Sequence, residues 1–253
     1  MQKSVVFNLD IGNKKPYYSN KKECPFCRRD TLTNILERKN DIIWLMNKYP
    51  VLDRTWPTVI IETEKHDDEF TRYDSDKLHD VFSFLFDRWL KTDSSGKFKS
   101  VICFRNYGTF SGGSQRHPHS QIMGFKDYDY KLNIDEKNFS GPIINENCDY
   151  TLKFSNVPIY GIGEFTVTLN KDGNINNFAD AIQNCAKFLL NDFPINCTSY
   201  NIFFYNLEKI HAKIIPIITT NPLHRGYYIT NTLSDKNRNI IKKLLLSGKY
   251  FGV

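Results

Sequence analysis

Short apolar runs rich in Ile, Val, Phe and Tyr recur along the chain, each bounded by Asn, Asp, Gly or Pro. Runs of this length and composition are typical of β-strands. The pattern therefore predicts strands along most of the sequence. They are Asp41–Met46, Thr58–Glu62, Ser100–Asn106, Gln121–Phe125, Glu164–Leu169, Ser199–Tyr205 and Ile210–Ile217.

Longer segments carry apolar residues at helical spacing. The first begins at Asp74 or Ser75, the second spans Asn177–Leu190, and the third runs from Ser234 to just before Gly248. Apolar residues three or four positions apart fall on one face of a helix, so each segment predicts a helix with one buried face. The residues of these faces are Leu78, Val81, Phe82, Leu85, Trp89, Phe178, Ala181, Cys185, Phe188, Leu189, Ile241, Leu244 and Leu245.

The order of these elements is strands, helix, strands, and then again strands, helix, strands, with a final helix. Such an order is typical of an α+β fold with largely antiparallel sheets and flanking helices. Its repetition predicts two similar halves that meet near residues 126–150. That stretch is polar and contains Gly141 and Pro142, as expected for a connection.

The composition agrees with a folded domain. The chain has 253 residues, of which 40% are hydrophobic and 25% charged, so it can bury a core and is not predicted to be disordered. Its longest apolar runs, such as Ile42–Met46 and Val81–Leu85, are far shorter than the roughly 20 residues that span a bilayer. Met1–Asp10 contains no apolar signal segment. With six cysteines, this predicts a cytoplasmic protein whose thiols stay free or bind metal.

The net charge is mildly positive. The chain has 34 basic and 28 acidic residues, a formal charge of +6. This excess favours anionic ligands such as nucleotides and sugar phosphates. The lysines and arginines are scattered, which is typical of a solvated surface, and nucleic-acid binding is not favoured.

The most informative segment is Phe104–Gln121, which reads FRNYGTFSGGSQRHPHSQ. It leaves one predicted strand, passes through glycines and serines, and reaches the next strand. Glycines permit unusual backbone conformations and close approach to a ligand, and consecutive N–H groups in such a turn form an anion site. The segment therefore predicts a phosphate-binding loop, with these residues: Gly108, Gly112, Gly113 and Ser114.

Two histidines follow this loop. In an extended segment, His117 and His119 point to opposite faces, whereas Gln121 shares the face of His119. An imidazole beside a carboxamide suits nucleophilic attack at phosphorus, because the amide donates a hydrogen bond to the oxygen on which charge develops. The alternative is a glycine-rich hairpin with incidental histidines. We favour the catalytic interpretation, with His119 and Gln121 as the reacting pair.

Cys24 and Cys27 form a C-x-x-C motif, which by itself is typical of zinc, of redox chemistry or of chance. The polar, lysine-rich stretch before it lacks the strand that a redox motif needs. A zinc site requires four N or S ligands, so histidines would complete it. His117, which faces away from the proposed chemistry, and His66, after a predicted strand, are the best candidates. The histidines that we favour less are His79, His211 and His224.

These motifs resemble those of the galactose-1-phosphate uridylyltransferases. That family belongs to the transferase branch of the histidine-triad superfamily, with the diadenosine-polyphosphate and ADP-glucose phosphorylases. Four segments match in order along the chain. They are the zinc motif Cys24–Cys27, the nucleoside-contacting motif Asn47-Lys48-Tyr49-Pro50, the zinc-histidine motif Glu62–His66, and the active-site motif Asn106–Gln121.

The resemblance implies a histidine-triad-like fold with two fused halves, 1–130 and 131–253, the second reduced. It implies that His119 takes up a nucleotidyl group covalently and that Gln121 stabilises the phosphate. It also implies a homodimer and one structural zinc per chain. The implied zinc ligands are Cys24, Cys27, His66 and His117; the implied substrate-binding residues are Asn47 for the nucleoside and Asn106, Gly108, Gly112, Gly113 and Ser114 for the phosphates.

The chain also departs from the family pattern. It is shorter, it has Lys48 where the family has an acidic residue, and its Ser120 is more typical of the phosphorylases. Arg225-Gly226-Tyr227 resembles the hexose-contacting segment without the Lys and Gln expected nearby. The expected activity is transfer between a UDP-sugar and a hexose 1-phosphate, as in galactose metabolism, by a shortened bacterial member. The alternatives are phosphorolysis of an ADP-sugar or dinucleoside polyphosphate, and non-catalytic nucleotide binding.

Overall fold

The structure, a computed structural model, describes residues 4–15, 24–218 and 223–251. Within these residues the chain has an α+β fold in which neighbouring strands pair antiparallel. In chain order the strands are β1 Ile35–Lys39, β2 Ile42–Met46, β3 Thr55–Ile61, β4 Ser100–Tyr107, β5 His119–Phe125, β6 Ile143–Glu146, β7 Tyr150–Phe154, β8 Phe165–Leu169, β9 Tyr200–Asn206 and β10 Ile210–Pro216.

The longer helices begin at polar residues that cap them. Asp74 accepts a hydrogen bond from the Lys77 N–H, and Asn174 and Ser234 cap later helices in the same way. Such caps satisfy backbone donors that have no partner inside the helix. The α-helices of the described residues are α1 Leu9–Lys14, α2 Ser75–Asp93, α3 Ile175–Asn191, α4 Leu223–Tyr227 and α5 Asp235–Leu245.

The described residues form two compact units. Unit 1 lies within Met1–Arg105 and Gly113–Asn133. Its strands have the order β1-β2-β3-β5-β4, and α2 connects β3 to β4. The buried face of α2 includes Trp89, whose indole N–H donates to the Val101 carbonyl oxygen at 3.3 Å. The helix thus packs on one face of the unit 1 strands, as its apolar stripe predicts.

Unit 2 comprises Asn106–Gly112 and the described residues of Ile134–Val253. Its strands have the order β6-β7-β8-β10-β9, and α3 connects β8 to β9. The Phe188 ring of α3 meets the Phe165 ring of β8 edge to face, with 6.1 Å between the ring centroids. Each unit therefore has the connectivity β-β-β-α-β-β with the same strand order.

The register of β5 determines which of its side chains share a face. His119 pairs with Ile61 and Gln121 pairs with Val59 on β3, while Ser120 pairs with Arg105 on β4. Because successive side chains of a strand point to opposite faces, His119 and Gln121 lie on one face and Ser120 on the other.

The predicted strands and helices are all present, with shifted ends, but Leu244, which was predicted on the buried face of the third helix, is 40% exposed. The structure adds β1 and β6, whose short apolar runs are interrupted by charged and amide residues. It also adds β7, which was not predicted although its Tyr, Leu and Phe residues alternate with Thr and Lys. β6 and β7 correct the interpretation of residues 126–150 as a plain connection, since strand structure begins there at Ile143. In the described part of the chain, no helix is both long enough and apolar enough to cross a membrane.

Candidate active site and metal centre

His119 is the first residue of β5, and its ring is nearly buried, with 7% of the residue exposed. Its Nδ1 lies 2.8 Å from the carbonyl oxygen of His117. A carbonyl oxygen can only accept a hydrogen bond, so Nδ1 carries the proton and Nε2 carries the lone pair. Nε2 has no hydrogen-bond partner among the described residues. The backbone therefore fixes the tautomer that is nucleophilic at Nε2.

The surroundings of His119 favour its neutral form. Burial lowers the pKa of the imidazole, and the hydrogen bond to His117 and the negative charge of Glu62 only partly offset this effect. Phe26 contributes to the burial, with its ring centroid 5.4 Å from that of His119. A neutral imidazole retains the lone pair that nucleophilic attack requires.

Gln121 lies on the same face of β5, two residues after His119. Its side-chain amide and the Ser114 hydroxyl form no hydrogen bond with any residue that the structure describes. Nearby in the sequence, Gly108 and Gly112 have φ values of 85° and 80°, a conformation that favours glycine. Unpaired polar groups and glycine conformations are the features expected of a loop that contacts a ligand.

The structure brings Cys24, Cys27, His66 and His117 together, with their ligand atoms all within 4.8 Å of one another. The Cys27 Sγ lies 3.4 Å from Nδ1 of both His66 and His117, and the Cys24 Sγ lies 3.8 Å from Nδ1 of His117. Ligands at about 2.3 Å (S) and 2.0 Å (N) from a tetrahedral ion lie about 3.5 Å apart. The cluster could therefore hold a metal ion, and its donors are compatible with zinc.

The outer side of the cluster also agrees with a metal centre. His117 Nε2 lies 2.8 Å from the Thr63 carbonyl oxygen, so it donates there and leaves Nδ1 unprotonated, as metal-bound histidines commonly do. His66 Nε2 is buried without a partner in the described residues. Burial raises the pKa of Cys24 to about 11, so a metal that binds its thiolate displaces a proton.

A buried polar network lies on the opposite face of β5. The Ser120 hydroxyl donates to Glu62 Oε1 at 2.6 Å, and Arg105 Nε donates to the same oxygen at 3.1 Å. Tyr73 donates to Glu62 Oε2 at 3.0 Å, and Arg105 also pairs with Glu69 at 3.4 Å. These partners satisfy a carboxylate that has no solvent contact, and they tie β5 to β3 and β4 directly behind His119.

The charges in this network determine the ionisation of Glu62. Burial alone would raise the pKa of its carboxyl group, but the Arg105 charge and the hydrogen bonds from Ser120, Arg105 and Tyr73 hold the pKa below its ordinary value. Sequence reasoning missed this role. Glu62 ends a predicted strand, but its partners come from β4, β5 and the segment before α2, which no local pattern connects.

The expectation of opposite faces for the two histidines assumed an extended segment. His117 lies instead in a bend before β5, so strand alternation does not govern its side chain. Both rings contact Phe26, with centroid distances of 5.9 Å for His117 and 5.4 Å for His119. The two rings still differ in function, since one points a nitrogen at the cysteines and the other does not.

Other predicted residues have partners within their own units. Asn47 accepts a hydrogen bond from the Tyr49 N–H at 2.9 Å, which closes a turn after β2. Asn106 Oδ1 accepts from Asn201 at 2.5 Å. By their contacts Asn106, Gly108 and Gly112 belong to unit 2, whereas the following residues Gly113 and Ser114 belong to unit 1 with His119.

The remaining histidines lie outside the metal cluster. His211 is buried and hydrogen-bonded to Thr168 at 2.9 Å, as expected of a core histidine. His224 lies in α4, next to the Arg225-Gly226-Tyr227 segment, and its ring contacts Tyr160 at 4.4 Å. His79 lies on α2.

Comparison with known families gives one clear result. The model of the N-terminal domain of DUF4931, described as a domain of unknown function, matches residues 7–128, and the model of the C-terminal domain matches residues 131–251. No curated protein matches the sequence.

Several solved structures are similar to this one. A DUF4931 family protein from Bacillus cereus is 38% identical, with a TM-score of 0.75 over 83% of this chain and 97% of that one. A uridylyltransferase is 17% identical (TM-score 0.69; 91% and 94% covered). An ADP-glucose phosphorylase from Arabidopsis thaliana, with bound ADP-glucose, is 14% identical (TM-score 0.70; 92% and 92% covered). For these two the similarity is one of fold.

Proposed function

The chain belongs to the DUF4931 family, and from the arrangement around His119 we propose that it is a nucleotidyltransferase that forms a covalent nucleotidyl-histidine. One observation carries this proposal. The His117 carbonyl oxygen holds the Nδ1 proton of His119, which leaves Nε2 with its lone pair and without a partner among the described residues. A nucleophilic histidine needs this tautomer.

In the first step, His119 Nε2 attacks the phosphorus of the nucleotidyl group. The P–N bond forms as the bond to the departing phosphate oxygen breaks, and that phosphate leaves with the electron pair. Gln121 donates its amide N–H to a non-bridging oxygen, where charge accumulates in the transition state. In the second step, a phosphate oxygen of the acceptor attacks the same phosphorus, and the P–N electrons return to Nε2.

The loop before His119 binds the phosphates in this proposal. Ser114 donates its hydroxyl, and Gly113 and Gly112 let the backbone approach the ligand closely. Gly108 and Asn106 contribute earlier in the same loop, and Asn47 contacts the nucleoside. These roles follow from the sequence motif, and the unpaired Ser114 hydroxyl supports them.

We assign zinc to the cluster of Cys24, Cys27, His66 and His117. The zinc there would have a structural role, since the four side chains complete a tetrahedral shell and leave no position for substrate. These residues link the segment after residue 23 to the bend that precedes β5. His117 thus belongs to the metal site through its ring and orients His119 through its carbonyl oxygen.

We propose a UDP-sugar as donor and a hexose 1-phosphate as acceptor, because the motifs resemble those of the uridylyltransferases and the fold is similar to one of them. A second candidate is phosphorolysis of an ADP-sugar or dinucleoside polyphosphate. Ser120 favours it, because this residue is more typical of the phosphorylases. We further propose that each unit is a histidine-triad-like half, since both have the same connectivity, and that the protein is a cytoplasmic homodimer.

The test is to incubate the purified protein with labelled UDP-glucose, ADP-glucose or diadenosine polyphosphate and to measure acid-labile label on the protein. We expect label from at least one donor and its release when the matching acceptor is added. The His119→Gly variant should form no label. The absence of label from every donor would overturn the transfer chemistry, and label on His119→Gly would overturn the assigned nucleophile.

A further inference from the structure

A cavity of about 550 Å³ lies in unit 1 between the end of α2 and the strands β2 and β3. It is on the face of the strands opposite to His119. Trp56, one of its lining residues, pairs with Gly124, and Gly124 lies on the same face of β5 as Ser120. The cavity is thus separate from the nucleophile and from the metal cluster.

Aromatic rings form one wall of this cavity. Trp56 and Phe98 stack with 5.6 Å between centroids and an angle of 26° between planes, and Trp44 meets Trp56 edge-on at 5.8 Å. Phe98 lies directly over Gly124, where an added Cβ would come within 2.5 Å of the ring. The Trp44 indole N–H donates to Thr58 at 2.8 Å, which holds that ring in place. The wall is therefore ordered before any ligand binds.

Basic side chains, with Thr92 and Ser95, form the rest of the lining. Lys97 and Lys126 are exposed and have no ion-pair partner among the described residues. Arg88 and Lys91 line the cavity from α2 and pair with Glu37 and Asp87, at 2.7 and 2.9 Å, but neither carboxylate lines the cavity. Arg88 Nε is buried without a partner in the described part of the chain. The cavity therefore combines an aromatic wall with two lysines, Lys97 and Lys126, that have no described ion-pair partner.

From this combination we propose that the cavity binds a nucleoside phosphate as a ligand separate from the substrate of His119. A purine or pyrimidine would stack on the aromatic wall, since every base has a flat π-face that stacks on such side chains. Its phosphates would lie against Lys97, Lys126 and Lys91. A cavity of about 550 Å³ has the size of a small-molecule site, which favours one nucleotide over an extended strand of nucleic acid.

Tryptophan fluorescence can test this proposal on the full chain. Trp44 and Trp56 line the cavity, whereas Trp89, the remaining tryptophan, is buried. We expect ATP to quench the emission saturably, and adenosine or inorganic pyrophosphate to bind at least tenfold more weakly. Equal binding of pyrophosphate, or tenfold tighter binding of a single-stranded oligonucleotide, would overturn the proposal.

A matched pair of variants locates the binding. Lys97→Glu with Lys126→Glu should weaken ATP quenching at least tenfold. Lys171→Glu with Lys243→Glu makes the same charge change on exposed lysines of unit 2 and should leave quenching unchanged. Equal ATP quenching in the two double variants would overturn the proposed location of the site.

A variant-independent measurement covers the case in which the charge reversal impairs folding. Photolabelling of the wild-type protein with azido-ATP should modify the peptide containing Phe98, and label confined to other peptides would contradict the proposal. Retention of histidine labelling by the Lys97/Lys126 variant would distinguish this site from the proposed catalytic one.

Discussion

The last strand of each unit begins near a buried histidine, and the two histidines have different environments. His119 on β5 is held by a backbone carbonyl oxygen and leaves Nε2 without a described partner. His211 on β10 is held by the Thr168 hydroxyl, and its ring stacks face to face on Phe139 at 4.2 Å. The first therefore keeps a nitrogen lone pair without a described partner, whereas the second is part of the packing.

The connection before each strand explains this difference. In unit 2 only Leu207–Lys209 joins β9 to β10, and the Leu207 N–H donates to the Lys209 carbonyl oxygen. In unit 1 the chain from β4 to β5 passes through the glycine-rich segment and the bend at His117. The same strand connectivity thus has a long glycine-rich connection, part of which belongs to unit 2, before one histidine and a tight turn before the other. The connection, and not the strand order, distinguishes the two histidines.

Substitution of the two histidines should have very different effects on labelling of the protein. His119→Asn should lower the rate of protein labelling by nucleotide at least about a thousandfold, because no nucleophile remains. His211→Asn should change that rate less than about threefold and lower the melting temperature, because the stack on Phe139 is lost. Rapid-quench labelling and calorimetry measure the two effects. Equal losses of labelling would contradict the comparison.

Metal removal should affect the units unequally. The described residues place the Cys and His cluster in unit 1 and none in unit 2. A chelator should remove one equivalent of zinc, and Cys27→Ser should do the same because the tetrahedral shell loses a ligand. Either change should destabilise unit 1 by several kcal/mol. Hydrogen exchange should rise in peptides from β3 and β5 and stay unchanged in β8 and β10. Cys148→Ser, at an exposed thiol, is the control.

Buried ion pairs allow a third contrast. Glu62 pairs with Arg105 in unit 1 and Glu164 pairs with Lys213 in unit 2, and all four are nearly inaccessible. Glu164→Gln leaves the buried Lys213 without its counter-charge and should cost about 3–5 kcal/mol. Glu62→Gln should cost less, because Arg105 keeps its ion pair with Glu69. Only Glu62→Gln should also slow labelling, because Glu62 holds Ser120 beside His119. Urea unfolding measures the stability of the two variants, and labelling rates measure their activity. Equal labelling rates in the two variants would exclude a positioning role for Glu62.

The same glutamate predicts a pH dependence. Its pKa in the folded state lies below that of the unfolded chain, about 4.3. Its contribution to stability is therefore fully present above about pH 4.3 and is lost as the pH falls through the folded-state pKa. Glu62→Gln should have a shallower decline in unfolding free energy over this acid range than wild type. If the unfolding free energies of the variant and the wild type declined in parallel, the assignment of this pH dependence to Glu62 would be wrong.

The smallest effect concerns two loop glycines with similar φ values. A Cβ at Gly108 would come within 2.3 Å of the Thr198 carbonyl oxygen, whereas at Gly112 nothing lies within 4 Å. Gly112→Ala should cost about 1–2 kcal/mol through backbone strain alone. Gly108→Ala should cost more, since the contact is with backbone that cannot rotate away. The urea unfolding midpoints of the two variants measure this difference. Equal losses of stability would contradict the prediction and indicate that the loop moves to relieve the contact.

Sequence patterns revealed the elements that have continuous apolar signals. β2, β4 and β10 were predicted because they are runs rich in apolar residues, and α2 and α3 because their apolar residues recur at helical spacing. β1 and β6 were not, because charged and amide residues interrupt their short apolar runs, and β7 was missed although its apolar residues alternate with Thr and Lys. The Glu62–Arg105 pair was also missed, since its partners are 43 positions apart.

The α+β class could be predicted from the chain alone, because burial leaves a pattern of apolar residues within each element. The candidate metal ligands could also be named in advance, from their residue types and from the resemblance to a known family, although they lie in three separate segments. The fold was needed to show that His117 lies in a bend before the strand, that its carbonyl oxygen orients His119, and that a carboxylate lies behind Ser120. These features depend on contacts between segments that are distant in the chain, and such contacts leave no periodic signal in a single sequence.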